Sequence, residues 1–146
     1  AATISQAMTK HFGKQLPEMI IEPGRGLVGD AGVIQAEVVL ISKKDYDDDR
    51  RWVYLDIGKF SGLAETMDEA IKYRIVTPHD GGPTRPVSIA RPTCGSRDTV
   101  VEKAEYQMPL ALEVGDKIQI LSAGAYTTTY SSVGFNGFPP LKSYCI

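Results

Sequence analysis

From residue 33 onward the chain is a succession of short β-branched or alternating segments, each soon closed by a glycine, proline or asparagine turn. A segment of this kind buries apolar surface only by pairing with other strands, so the bulk of the chain is constrained to a sheet fold. Residues 33–41 carry Val33, Ile34, Val38, Val39 and Ile41, and residues 51–57 (Arg-Trp-Val-Tyr-Leu-Asp-Ile) alternate in the same way, which predicts a hairpin. The charged stretch between them, residues 43–50, is its tip; its acidic residues read as a solvated strand end rather than a metal site. Further strands are predicted at residues 73–76, 87–90, 117–122 and 141–146, and Tyr106-Gln107-Met108-Pro109 leads into the apolar residues 111–114. His79-Asp80-Gly81-Gly82-Pro83, Gly115-Asp116 and Asn136-Gly137 supply turns. Thr66, with Glu69 three residues on, reads as the N-cap of a short helical start. Many short strands with regular turns predict a mostly β domain, a sandwich or a barrel.

The first thirty residues differ. Ile4, Met8 and Phe12 recur at helical spacing, and Gly13 and Pro17 end that pattern. The apolar run Met19-Ile20-Ile21 reads as a buried strand, followed by Glu22-Pro23-Gly24-Arg25-Gly26, a glycine turn, and a short helical turn at residues 28–31. Helix, strand and glycine turn in that order make one step of an α/β barrel. A boundary is therefore placed near Asp30, with residues 1–30 as the remnant of an α/β barrel and residues 31–146 as a β-domain. A barrel remnant without its barrel leaves the apolar faces of residues 3–12 and 19–21 unpartnered.

Charge and cysteine usage narrow the function. A net charge of −2 with scattered basic residues argues against nucleic acid binding. No apolar run approaches the roughly 20 residues that span a bilayer, and the first residues lack a signal-peptide pattern. Cys94 and Cys145 have neither CxxC nor metal-ligand spacing, so a cytoplasmic protein with free thiols and no metal is expected. The start at Ala1, within a helical pattern and without Met, suggests a fragment.

Chemistry concentrates at a few places. Glu22 and Arg25 follow a predicted barrel strand, where barrels of this kind keep their active sites. Arg25, flanked by Gly24 and Gly26, offers a guanidinium fork beside backbone N–H groups that a phosphate can approach. A surface Glu–Arg pair in a turn is the plainer reading of the same residues. Cys94 lies in a loop, within Pro92-Thr93-Cys94-Gly95-Ser96, where a thiol is accessible, though most cysteines are small buried hydrophobes.

Taken together, Glu22-Pro23-Gly24-Arg25, Pro92-Thr93-Cys94, Gly124-Ala125-Tyr126-Thr127 and Phe135-Asn136-Gly137-Phe138 resemble, in order and spacing, the fold-type III amino-acid decarboxylases. That family includes the ornithine, lysine, arginine and diaminopimelate enzymes. Leu55-Asp56-Ile57-Gly58-Lys59-Phe60 with Glu65-Thr66-Met67-Asp68-Glu69, and the ending just quoted, look most like bacterial ornithine/lysine decarboxylases. The resemblance implies a C-terminal portion of a pyridoxal-phosphate-dependent enzyme, whose N-terminal barrel carries the Schiff-base lysine. Neither Lys59 nor Lys72 lies in a matching context, so the chain alone is expected to be inactive.

The resemblance also implies roles. Glu22 faces the pyridine nitrogen, Gly24 and Arg25 hold the phosphate, and Tyr126 adds a second phosphate contact. Asp68 and Asp98 meet the distal amine of an ornithine or lysine substrate, and Phe135 packs near the same place. Cys94 guides reprotonation at the α-carbon, in the active site of the other subunit of a head-to-tail homodimer. The product would be putrescine or cadaverine, in polyamine biosynthesis. The ornithine-type loop usually reads Cys-Asp-x-x-Asp, whereas this chain reads Cys94-Gly95-Ser96-Arg97-Asp98. Gly95 lacks the acid that helps hold the distal amine, which points to weaker activity or another substrate. The alternatives are a non-catalytic relative that binds a regulator, a diaminopimelate or arginine decarboxylase, and a stand-alone β-barrel binding module.

Overall fold

The computed structural model describes residues 2–91 and 98–146. Helix α1 spans Ala2–Phe12 and the single-turn α2 spans Gly24–Val28. Among the described residues six strands follow: β1 (Ile34–Ser42), β2 (Arg51–Leu55), β3 (Ile75–Val76), β4 (Thr84–Ala90), β5 (Thr99–Pro109) and β6 (Lys117–Ile120). They form one sheet in the order β3-β6-β1-β2-β4-β5. The mostly β expectation holds.

The register explains the core. In β1, Ile34, Ala36 and Val38 point inward while Gln35 and Glu37 point outward or to the rim. Antiparallel β6 matches Ile120 to Ile34 and Ile118 to Ala36, so inward faces meet inward faces. On the outer side of the same pair, Glu37 stands opposite Lys117 and the two form an ion pair. Val38, Val53, Leu55, Val87, Ile89 and Ile118 are wholly buried. The expected hairpin of β1 and β2 is antiparallel, with an irregularity between Val38 and Leu40. β2 and β4 run parallel, because the chain between them crosses over through the short 3-10 segments Lys59–Ser61 and Ala64–Glu69 and through β3. Two further irregularities in the β4–β5 pairing increase the local twist and curl the sheet.

The curl brings the two edge strands together without a ladder between them. Tyr106 of β5 accepts a hydrogen bond from the Ile75 backbone N–H of β3 at 2.8 Å, and its hydroxyl donates to the Tyr73 carbonyl at 3.3 Å. The sheet is therefore an open barrel, and Tyr106 links its two edge strands across the seam. Burial pushes the Tyr106 phenol above its ordinary pKa of 10. The neutral phenol is the form that folding favours, so its contribution is intact below pH 10 and is lost as pH rises through the elevated value. Tyr106→Phe is expected to strand the Ile75 N–H and to cost about 1–2 kcal/mol. Urea unfolding measures that loss; an unchanged midpoint would show that the seam holds by packing alone.

Three local expectations fail. Residues 19–21 form no strand: Met19 and Ile21 are about half exposed and Ile20 is 82% exposed. Period and hydrophobicity identified the run, but among the described residues it has no strand to pair with. α1, by contrast, is the helix expected at residues 3–12, and it has no buried residue. Residues 141–146 form no strand either; Leu141 packs on the core and the residues beyond it are exposed. Thr66 is not an N-cap: it lies inside the Ala64–Glu69 segment, and its hydroxyl donates to the carbonyl of Leu63, the residue just before that segment.

Candidate functional site

The glycine turn at residues 22–26 is closed by the Gly26 N–H, which donates to the Pro23 carbonyl at 2.7 Å, and Arg25 rises from the α2 turn that follows. Its guanidinium lies 5.4 Å from the centre of the Tyr126 ring and is paired with Glu65. A Cβ built on Gly24 would sit 3.6 Å from the Tyr126 hydroxyl oxygen, which places that hydroxyl over the Gly24 backbone. Glu65, first, holds the Arg25 guanidinium above its ordinary pKa, so the arginine is a fixed positive charge. Tyr73 also favours the charged form, although its buried hydroxyl makes no hydrogen bond of normal geometry.

Tyr126 is delivered to Arg25 by a turn with little freedom. Ser122 and Tyr126 both adopt positive φ, 57° and 55°, an arrangement that L-residues keep only when neighbours enforce it. The neighbours are the residues just after Arg25. The Ala123 N–H donates to the Gly32 carbonyl and the Gly124 N–H to the Gly29 carbonyl, each at 2.8 Å, while the Ser122 hydroxyl donates to Asp30 at 2.6 Å. Tyr130 packs edge-on against Tyr126 with ring centres 5.8 Å apart. Beside Arg25 opens a cleft of about 400 Å³, whose charged lining is Arg25, Lys72 and Arg74 against Asp30.

A second group lies at the other end of the crossover. Asp98 is 1% exposed and accepts the Lys59 N–H at 2.8 Å. The next residue, Phe60, stacks on Phe135 with ring centres 4.3 Å apart, and its carbonyl accepts the Ser132 N–H at 2.8 Å. Arg91, 5% exposed, lays its guanidinium 3.7 Å from the Phe138 ring centre. The two groups share a backbone: the Leu63 N–H donates to Gly58 and the Thr66 N–H to Leu63, so one short segment touches Asp98 at its start and presents Glu65 to Arg25 further on.

The structure thus brings Gly24, Arg25 and Tyr126 together, and connects Asp98 to Phe135 through Lys59 and Phe60. Glu22 and Asp68 are exposed, Asp68 in the left-handed region with φ 53°. Cys94 lies outside the described residues, as do its neighbours 92–97, including Gly95. Among the described residues no cluster of histidine, cysteine or carboxylates is arranged to hold a metal ion. Sequence reasoning assigned nothing to Glu65 and Arg91. Each finds its partner far along the chain, and for Glu65 the signal available was the need of Arg25 for a carboxylate.

The chain is similar to known proteins over most of its length. Residues 5–124 match the family profile described as "Pyridoxal-dependent decarboxylase, C-terminal sheet domain". Diaminopimelate decarboxylase of Staphylococcus aureus (strain COL) is 32% identical over 123 residues, which is 84% of this chain and 28% of that protein. The lysine/ornithine decarboxylase of Vibrio vulnificus, solved with cadaverine, superposes with a TM-score of 0.73 at 27% identity, over 95% of this chain and 36% of that one. The diaminopimelate decarboxylase of Helicobacter pylori, solved with L-lysine, gives 0.70 at 27% identity, over 92% of this chain and 31% of that one. The chain spans less than a third of the length of the curated relative it matches.

Proposed function

Because the chain belongs to the family of pyridoxal-dependent decarboxylase C-terminal sheet domains, we propose that it closes the active site of an enzyme that decarboxylates ornithine or lysine to the diamine. In this reading residues 1–30 end the N-terminal barrel and residues 31–146 form the sheet domain. The barrel supplies the lysine that binds pyridoxal phosphate, and a second copy of the protein completes the site head to tail. In this reading the enzyme works in the cytoplasm, as its free-thiol cysteine usage suggests.

The observation that carries the reading is the convergence of Arg25 and Tyr126, two phosphate-type donors from opposite ends of the chain, over a glycine backbone. That set fits the phosphate of the cofactor: a charge-assisted fork, a phenolic O–H and no side chain at Gly24 to block approach. Pyridoxal phosphate, when bound, supplies the electron-accepting ring. The chain's own residues then divide the work. Arg25 and Tyr126 hold the phosphate end. Glu22 keeps a proton on the pyridine nitrogen. Asp68 meets the distal ammonium, which needs a carboxylate once desolvated. Cys94 delivers a proton to the α-carbon. Asp98, buried against the Lys59 N–H, serves the distal end from beside the residues that include Cys94, and the Phe60–Phe135 stack walls that end.

Diaminopimelate is the second candidate substrate, favoured by the 32% identity to the Staphylococcus aureus enzyme. The loss of an acid at Gly95 also weakens the case for a simple distal ammonium. Ornithine and lysine differ by one methylene, worth only about 1–3 kcal/mol of discrimination in a pocket. CO2 release from ornithine, lysine and diaminopimelate, by the full-length protein and by the 146-residue chain alone, tests the reading. Turnover of ornithine or lysine by the full-length protein only is expected. Turnover of diaminopimelate instead assigns the second substrate, and turnover by the short chain would overturn the division of labour.

A further inference from the structure

We infer that Glu65 is a positioning residue for phosphate recognition: it holds the Arg25 guanidinium in register with the Tyr126 hydroxyl, so that both donors reach one phosphate. The inference rests on the reading that Arg25 takes the cofactor phosphate. An arginine side chain loses considerable rotamer freedom when it is fixed, and a donor fixed before the ligand arrives does not pay that cost on binding. Arg25 is fixed from two sides, by Glu65 at one guanidinium nitrogen and by the face of Tyr126. A guanidinium has five N–H donors, so the bond to Glu65 leaves others for a ligand.

Glu65 is itself held firmly. Its carbonyl accepts the Ile71 N–H at 3.1 Å, and the Thr66 hydroxyl next to it donates to Leu63 at 2.6 Å in the buried interior. Behind the guanidinium stands Tyr73, 8% exposed, which lines the same cleft as Arg25 and whose hydroxyl has no hydrogen-bond partner among the described residues. With side chains 33% and 24% exposed, the Arg25–Glu65 pair contributes little to global stability. Its geometry is better accounted for by the ligand end of Arg25.

Charge alone makes the opposite prediction. A carboxylate next to a phosphate site repels the dianion, so a purely electrostatic Glu65 would weaken phosphate binding and its removal would strengthen it. Orientation and charge are therefore separable by sign.

The experiment measures, on the full-length protein, the ratio of affinities for pyridoxal phosphate and for pyridoxal, which lacks the phosphate. A loss of fold lowers both affinities, whereas a loss at the phosphate end lowers their ratio. Glu65→Ala is expected to reduce the ratio roughly tenfold or more. Glu65→Gln, which keeps an oxygen facing the guanidinium, is expected to retain it within about threefold. Glu65→Asp, one methylene shorter, is expected to fall between and serves if the alanine variant does not fold. An unchanged or increased ratio in Glu65→Ala or Glu65→Asp would overturn the positioning role, as would equal losses in Glu65→Ala and Glu65→Gln. A wild-type protein with no preference for pyridoxal phosphate over pyridoxal would overturn the phosphate role of Arg25 itself, and the inference with it.

Discussion

Gly124→Ala is expected to destabilise the protein by about 3 kcal/mol or more, far beyond the usual cost of adding one methyl group. A Cβ at Gly124 would stand 1.8 Å from the Val28 carbonyl oxygen and 2.9 Å from that of Gly29. Both obstacles are backbone, so no side-chain rotation relieves them. Gly32 meets the same turn from the other side, its Cβ position lying 2.5 Å from the Gly124 backbone. The two turns cannot separate without breaking the hydrogen bonds from Ala123 to Gly32 and from Gly124 to Gly29. Because the turn at residue 124 carries Tyr126 and the turn at residue 29 follows Arg25, the variant should also pull the Arg25 guanidinium and the Tyr126 ring apart. Gly26→Ala is the control: nothing lies within 4 Å of its Cβ position, and alanine favours the α2 turn. Thermal unfolding should show a fall of roughly 10 °C for Gly124→Ala and no fall for Gly26→Ala. Equal behaviour of the two variants would mean that the turns are not in contact.

Asp98→Ala should be nearly as costly, by about 2–4 kcal/mol. The carboxylate is 1% exposed, accepts the Lys59 N–H at 2.8 Å and sits where a Gly58 Cβ would come within 2.4 Å of it. Its backbone carbonyl also accepts the Arg91 N–H at 3.3 Å, which joins the two ends of the segment carrying Cys94. Removing the side chain strands a half-buried donor and frees the start of the crossover. Urea unfolding of Asp98→Ala and Asp98→Asn measures the loss, with the asparagine variant, which keeps an acceptor oxygen, expected to lose less. A midpoint within error of wild type for Asp98→Ala would show that water replaces the carboxylate and that Asp98 does not hold the start of the crossover.

Much of the β architecture was legible because alternation is local. The inward set Ile34, Ala36 and Val38 and the partner set Ile118 and Ile120 declare their faces within four or five residues, and the hairpin of β1 and β2 follows from two such segments around a charged tip. The parallel pairing of β2 with β4 was not legible, since nothing in either segment says that the chain between them crosses over. Residues 19–21 and 141–146 have strand-like composition without strands, because a strand is defined by a partner and composition does not supply one.

The site divides along the same line. Residue type and spacing, with the family resemblance, named Glu22, Gly24, Arg25, Cys94 and Tyr126 as candidates, and of these the fold brings Gly24, Arg25 and Tyr126 together, while Glu22 is exposed and Cys94 lies outside the described residues. Only the folded chain showed that Arg25 is engaged by Glu65, that Tyr126 reaches it through two glycine backbones in contact, and that Asp98 is buried against the Lys59 N–H instead of facing solvent. Those relations join residues tens of positions apart. The amino-acid sequence by itself determined which groups the protein has and which local periods they follow. The tertiary structure alone decided which groups share a charge, a hydrogen bond or a face, because closure of the open barrel sets those distances and no local pattern encodes them.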